Sequence, residues 1–300
     1  MFLAKGRLMP TKKVALIHPR NLIRSWSRVF AAHFDASTPP ESAQLDNAVE
    51  WVNKAVTAGA EYVVFPELYP GPFTPEADCF TLDDTIRAMC DAAKAGQAWV
   101  VFGAAEEEEG KLFNTLRIAS PKGDIVGYYR KRIPACGEPW SPGEGIAVVD
   151  CGGLKIGLAI CWEAWFPEVG RTLALEGAEL IVYPVGALIY ELTESWRTLV
   201  HARAIENTAF TAASINLFGK EDGICSVFGP EGVLAQREGE GFVVAELDLD
   251  RLRWMRSIDE EMVIPKPYKA IPGPARSLPL PVVETLLEAK KKYDAAGLGR

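Results

Sequence analysis

The sequence predicts an α/β protein, and three observations carry that reading. Short, almost wholly apolar runs such as 61–67 and 155–160 have the length and composition of strands covered on both faces. Segments with the apolar spacing of helices alternate with such runs along most of the chain. Hairpin turn signals at 121–124, 152–153 and 230–232 add antiparallel strands. With 300 residues and 48% hydrophobic content, the chain can bury a substantial core.

Residues 1–11 read as a lead-in, and 13–19 (KVALIHP) as the first strand. Leu45, Val49, Val52 and Val56 recur at steps of three and four, which predicts a helix over 41–58 that Gly59 ends. The strand at 61–67 is broken by Pro66, finishes on Glu67 and opens into the turn-rich YPGPFTP. A helix over 83–96 and a strand over 99–107 follow, and the acidic run Glu106 to Glu109 before Gly110 reads as a solvated turn. The hairpin over 112–131 ends its second strand at Lys131. The hairpin at 152–153 leads into 155–160, which runs into Cys161. Pro167 suits the first turn of a helix whose apolar side holds Val169, Leu173 and Leu175. Strand 179–187, helix 193–207 and strand 210–216 then repeat the earlier order, before a hairpin over 226–236 and a closing strand over 242–250. From Arg251 the composition shifts: six prolines between 265 and 281 describe an extended tail, with a short helix over 282–295. The domain reading is therefore a single unit over 13–250 and a Pro-rich extension over 251–300 that packs on it or on a neighbouring subunit.

Composition excludes several classes of function. The net charge of −8 argues against a nucleic acid or an anionic membrane as partner. Six cysteines scattered without CxxC spacing point to reduced thiols in the cytoplasm and not to a disulfide framework. No apolar run has the length of a membrane span, and no signal-peptide core precedes Lys12 and Lys13. Of the three histidines, His18, His33 and His201, none pairs with another or with a cysteine at metal-ligand spacing.

Three polar residues stand at the ends of strands: Glu67, Lys131 and Cys161. Singly, each has an ordinary reading as a loop carboxylate, a surface charge beside Arg130 and Arg132, or a core thiol. Together they fall where the loops beyond strand carboxyl ends form the ligand crevice of α/β sheets. A thiol beside a carboxylate and an ammonium makes a nucleophilic site without histidine. The glutamate takes the thiol proton, and the lysine stabilises the thiolate or an oxyanion. A helix beginning near Cys161 would add positive partial charge that favours the thiolate.

FPELYPGPF around Glu67, YYRKRIP around Lys131 and GLAICWEAWFPE around Cys161 resemble the three signature blocks of the nitrilase superfamily of carbon-nitrogen hydrolases. The resemblance runs from about 13 to 250 and includes HARAIENTAF, GPEGVLAQ and VVAELDLD. It implies a four-layer α-β-β-α sandwich and a catalytic Glu67-Lys131-Cys161 triad. It also implies a second glutamate, matched by Glu138, that positions substrate or assists proton transfer near the lysine. The implied reaction is hydrolysis of a small amide or N-carbamoyl compound through a thioester on Cys161, with Lys131 and the Trp162 backbone N–H holding the oxyanion. No metal or organic cofactor is needed for that chemistry. The resemblance also implies a homodimer or larger homo-oligomer formed through the segments 167–178 and 193–207.

WEAWFPE is most similar to the corresponding block of N-carbamoylputrescine amidohydrolases and related amidases, with Glu163 where those have aspartate. Members acting on substrates with a free carboxylate tend to carry an arginine shortly after the cysteine, where this chain has Ala164, Trp165 and Phe166. An apolar wall gives a carboxylate no bidentate partner. The substrate expectation is thus a neutral or cationic amide or carbamoyl compound, with Trp162 and Trp165 as the substrate-binding candidates. Two alternatives use the same blocks: a nitrilase forming an acid and ammonia, and a catalytically silent binding protein on the same fold.

Overall fold

The structure is a computed structural model that describes residues 11–23, 38–73, 79–187, 192–218 and 223–257. The helix expected over 282–295 and all six prolines of the tail lie outside these residues. Twelve strands are found among them: β1 Thr11–His18, β2 Tyr62–Val64, β3 Trp99–Glu108, β4 Lys111–Ala119, β5 Ile125–Arg130 and β6 Ala147–Asp150, then β7 Lys155–Leu158, β8 Leu180–Val182, β9 Phe210–Ser214, β10 Cys225–Gly229, β11 Gly232–Gln236 and β12 Gly241–Asp248. They form two six-stranded sheets, in the orders β12-β1-β2-β3-β4-β5 and β6-β7-β8-β9-β10-β11. In each sheet three central strands run parallel, β1-β2-β3 and β7-β8-β9, and antiparallel strands flank them. The repeated order read in the sequence is thus a repeated sheet.

Five α-helices accompany the strands in the described residues: α1 Gln44–Thr57, α2 Leu82–Gly96, α3 Pro167–Leu175, α4 Thr193–Asn207 and α5 Leu249–Ser257. Successive side chains of a strand point to opposite faces, and β1 divides its residues accordingly. Val14 and Leu16 join Tyr62, Val64 and Val101 in a core shared with Ile156, Leu158 and Val182 of the second sheet. Ala15 and Ile17 join Val63, Val100 and Phe102 against Val52, Ala55 and Met89 of α1 and α2. α3 lies on β7, where a Cβ on Gly157 would come within 2.9 Å of the Ala178 Cβ and 3.2 Å of the Leu173 Cβ. The result is the expected α-β-β-α sandwich.

Two local expectations are corrected. The extended tail does not begin at Arg251, because Leu249–Ser257 is helical and buries Leu249, Leu252 and Met255, spaced by three. Arg253 Nε donates to Glu179 Oε1 at 2.7 Å, and Arg256 donates to the carbonyls of Thr208 and Ala178 at 2.7 Å each, so this helix docks on the sandwich. The acidic run is not wholly solvated either. Glu106 belongs to β3 and pairs with Arg117 and Arg130, and it accepts from the Tyr128 hydroxyl at 2.7 Å.

Candidate active site

The fold brings Glu67, Lys131 and Cys161 to one end of the sandwich. Glu67 lies three residues beyond β2, Lys131 directly follows β5, and Cys161 lies three residues beyond β7. The first sheet therefore supplies the acid and the ammonium, and the second supplies the thiol. β3 presses against the Glu67 turn: a Cβ on Gly103 would fall 2.6 Å from the Leu68 backbone nitrogen. Asn216 ties the two sheets together here, its amide donating to the Glu67 carbonyl at 3.0 Å and the Gly186 carbonyl at 3.2 Å.

Lys131 is fully buried, and its ammonium donates to Glu67 Oε1 at 2.8 Å and to Glu138 Oε2 at 2.9 Å. Asn114 Nδ2 donates to the same Glu67 oxygen at 2.7 Å, and the Ala135 N–H holds Glu138 Oε2 at 2.8 Å. Burial alone would drive the lysine towards neutrality, but the charges of Glu67 and Glu138 win and hold it far above the ordinary lysine range. Burial, aided by the Glu138 charge, raises the Glu67 carboxyl above its usual value, against the opposing pull of Lys131 and Asn114.

Cys161 opens a five-residue 3-10 helix, Cys161–Trp165, and has φ 48°. A non-glycine residue in the left-handed region is uncommon and marks a strained, tightly determined position. Its backbone N–H donates to the Pro184 carbonyl at 2.9 Å, and its sulfur is hydrogen-bonded by the backbone N–H of Gly186. The expected helix-terminus effect does not prevail. α3 starts only at Pro167, and burial together with the Glu67 charge pushes the thiol well up, against Lys131. The resting group is a thiol with a basic carboxylate near it, an arrangement suited to proton transfer at the moment of attack.

A cavity of about 250 Å³ opens over these groups, lined by Glu67, Glu138 and Cys161 with Leu68, Phe73, Gly137, Pro139, Trp140, Gly186 and Ala187. Trp162 and Trp165, the expected substrate-binding side chains, are not among its lining residues and are corrected. Three apart on a 3-10 helix, they share an outer face with ring centroids 6.0 Å apart, each 36% exposed, and Trp165 stacks edge-on against Trp196 at 5.6 Å. The aromatic wall is instead Trp140, set edge-on to Phe73 at 5.6 Å. Trp140 and Asn114 escaped the sequence reading. The only signals were a tryptophan two residues after Glu138 and an asparagine inside the apolar run of β4. Glu163 does not shape the cavity either; it is fully buried below Cys161, where burial raises its carboxyl against the pull of Tyr129 and the Ile160 and Arg132 N–H groups.

A buried acid, ammonium and thiol converge at one end of this sandwich, and the class of protein is a hydrolase of non-peptide C–N bonds. Residues 32–257 match the carbon-nitrogen hydrolase family, and the chain belongs to it. It is 32% identical over 187 residues to "Nitrilase homolog 2" of Dictyostelium discoideum, a match spanning 56% of this chain and 57% of that protein. It is 28% identical over 280 residues to a formamidase of Bacillus cereus, covering 83% of this chain and 84% of the relative. Among solved structures it superimposes on Saccharomyces cerevisiae Nit3, a member of the nitrilase superfamily, with a TM-score of 0.69 at 21% identity, covering 86% and 99% of the two chains. The resemblance read from the three sequence blocks is borne out.

Proposed function

We propose that the chain hydrolyses a small, neutral or cationic amide or N-carbamoyl compound through a thioester on Cys161. The observation that carries this is the buried contact of Lys131 with Glu67 at 2.8 Å beneath a cavity that Cys161 also lines. Glu67 takes the thiol proton as the sulfur attacks the carbonyl carbon. The Lys131 ammonium and the Trp162 backbone N–H, in the first turn where helix N–H groups lack internal partners, hold the oxyanion. Collapse of the tetrahedral species breaks the C–N bond, and Glu67 returns the proton to the departing ammonia or amine. A water deprotonated by Glu67 then attacks the thioester, and the acid leaves with the thiol restored. Glu138 holds the ammonium in place and faces the substrate from the rim.

Substrate class follows from the wall and the charge. Leu68, Phe73, Pro139, Trp140 and Ala187 give an apolar lining, and about 250 Å³ suits a short chain. Two carboxylates against one ammonium leave a net negative floor, which repels a substrate carboxylate and admits a neutral or cationic one. The exposed aromatic face of Trp162 and Trp165 beside α3 and α4 supports a homo-oligomer formed there. The absence of a disulfide among all six cysteines fits a reducing cytoplasm. The test is ammonia release from matched amides, N-carbamoyl compounds and nitriles, with peptide-resolved mass detection of an acyl adduct on Cys161. Ammonia from amides with that adduct is the expected result. Product from nitriles alone would make the chain a nitrilase, and silence with an unreactive Cys161 would sink the catalytic reading.

A further inference from the structure

Glu163 sits where the two halves of the site are joined. It is fully buried, and its two oxygens have different neighbours. Oε2 accepts the backbone N–H of Ile160 at 2.7 Å, the residue before the nucleophile. Oε1 accepts the backbone N–H of Arg132 at 2.8 Å and of Ile133 at 3.2 Å, the two residues after the lysine, and the Tyr129 hydroxyl at 2.7 Å. Thus one carboxylate bridges the strand end that carries Cys161 in the second sheet and the strand end that carries Lys131 in the first. All four groups donate to it here, and three of them are backbone N–H groups that cannot accept, so the carboxylate satisfies every partner at once.

We infer that Glu163 is the positioning residue that fixes the distance between the Lys131 ammonium and the Cys161 sulfur. It lines no part of the cavity, so it acts through these two groups and not on substrate. The inference rests on the proposed mechanism, in which that distance decides how well the ammonium holds a developing oxyanion. Glutamine at 163 cannot serve both sides: whichever way the amide turns, its NH₂ faces a donor, and either the Ile160 side or the Arg132 side is pushed away. Aspartate keeps the charge but, one methylene shorter, reaches both sides poorly.

The experiment compares wild type, Glu163→Gln and Glu163→Asp by kcat per titrated Cys161, by KM, and by the pH dependence of Cys161 alkylation with iodoacetamide read at its own peptide. A displacement of about 1 Å lowers kcat roughly 10²-fold. We expect that loss in the glutamine variant, about a tenfold loss in the aspartate variant, and KM little changed in both. Lys131 lowers the thiol's pKa, so moving it away shifts the alkylation profile to higher pH, whereas loss of the Glu163 charge without movement shifts it lower. A profile that stays or moves down, or an unchanged kcat per titrated site, would overturn the inference. If the glutamine variant does not fold, the aspartate variant alone decides, and wild-type kcat per site in it overturns the inference too. Alkylation needs no substrate. A wild type that reacts at Cys161 but releases no ammonia would therefore count against the proposed reaction while the profile still decides the role of Glu163.

Discussion

Replacing Lys131 by methionine keeps the length of the buried stem and removes the one charge that holds two carboxylates. Its contacts with Glu67 at 2.8 Å and Glu138 at 2.9 Å are each worth about 6 kcal/mol of attraction at an effective dielectric of about 20. Desolvation of the ammonium offsets much of that, and removing one partner of a buried pair has a net effect nearer 3–5 kcal/mol. Glu67, only 3% exposed, can relieve its orphaned charge by binding a proton. In the unfolded chain it titrates near pH ~4.3, so holding that proton costs about 1 kcal/mol at pH 5 and about 5 kcal/mol at pH 8. The sign follows. A folded carboxyl pKa raised above its unfolded value, as Glu67 already shows, contributes stability at low pH that is lost as pH rises through the folded value. Urea unfolding should therefore show Lys131→Met destabilised by about 1 kcal/mol at pH 5 and about 4 kcal/mol at pH 8, with ammonia release lost at both. An equal penalty at the two pH values, or a larger one at pH 5, would refute the buried ion-pair reasoning.

Cys161→Ala should abolish ammonia release and leave unfolding within about 1 kcal/mol of wild type; turnover by the purified variant would end the thioester mechanism. The acid limb of kcat/KM should lie above the ordinary glutamate range, with activity rising as Glu67 loses its proton, because burial and the Glu138 charge raise that carboxyl. Glu138→Gln removes the second of those causes, so the limb should move to lower pH while kcat falls, and an upward move contradicts the assignment. Trp140→Ala opens the cavity wall: kcat/KM for a six-carbon amide relative to a three-carbon one should rise about tenfold, with a loss of about 3 kcal/mol in stability. An unchanged chain-length profile would remove Trp140 from the substrate wall.

The fold was legible because its signals are local and repeated. Buried strands announce themselves as short apolar runs, and the same helix and strand order appears twice, so the strands and their repeat were readable from the pattern, while the stacking of two sheets came from the family resemblance. The candidate triad was legible for a related reason: strand ends in one sense converge whatever fills the space between them. What failed depends on direction and on depth. Trp162 and Trp165 stand within four residues of the nucleophile, yet a 3-10 turn carries both rings to the outside. The helix at Leu249–Ser257 had its own spacing of buried residues, but the prolines beyond it dominated the composition of the tail.

Cys161 shows the limit most clearly. A helix-terminus argument is local and predicts a stabilised thiolate, whereas burial and the Glu67 charge come from residues nearly a hundred positions away and reverse the sign. The same distance hides Glu163, whose four donors come from 129, 132, 133 and 160 and meet only when the two sheets are stacked. In sequence it is one acidic residue among forty. In the folded chain it is a hydrogen-bonded bridge between the strand end that presents the thiol and the one that presents the ammonium. A nucleophile and its electrostatic partner on separate sheets need such a link, since neither sheet alone fixes the gap between them.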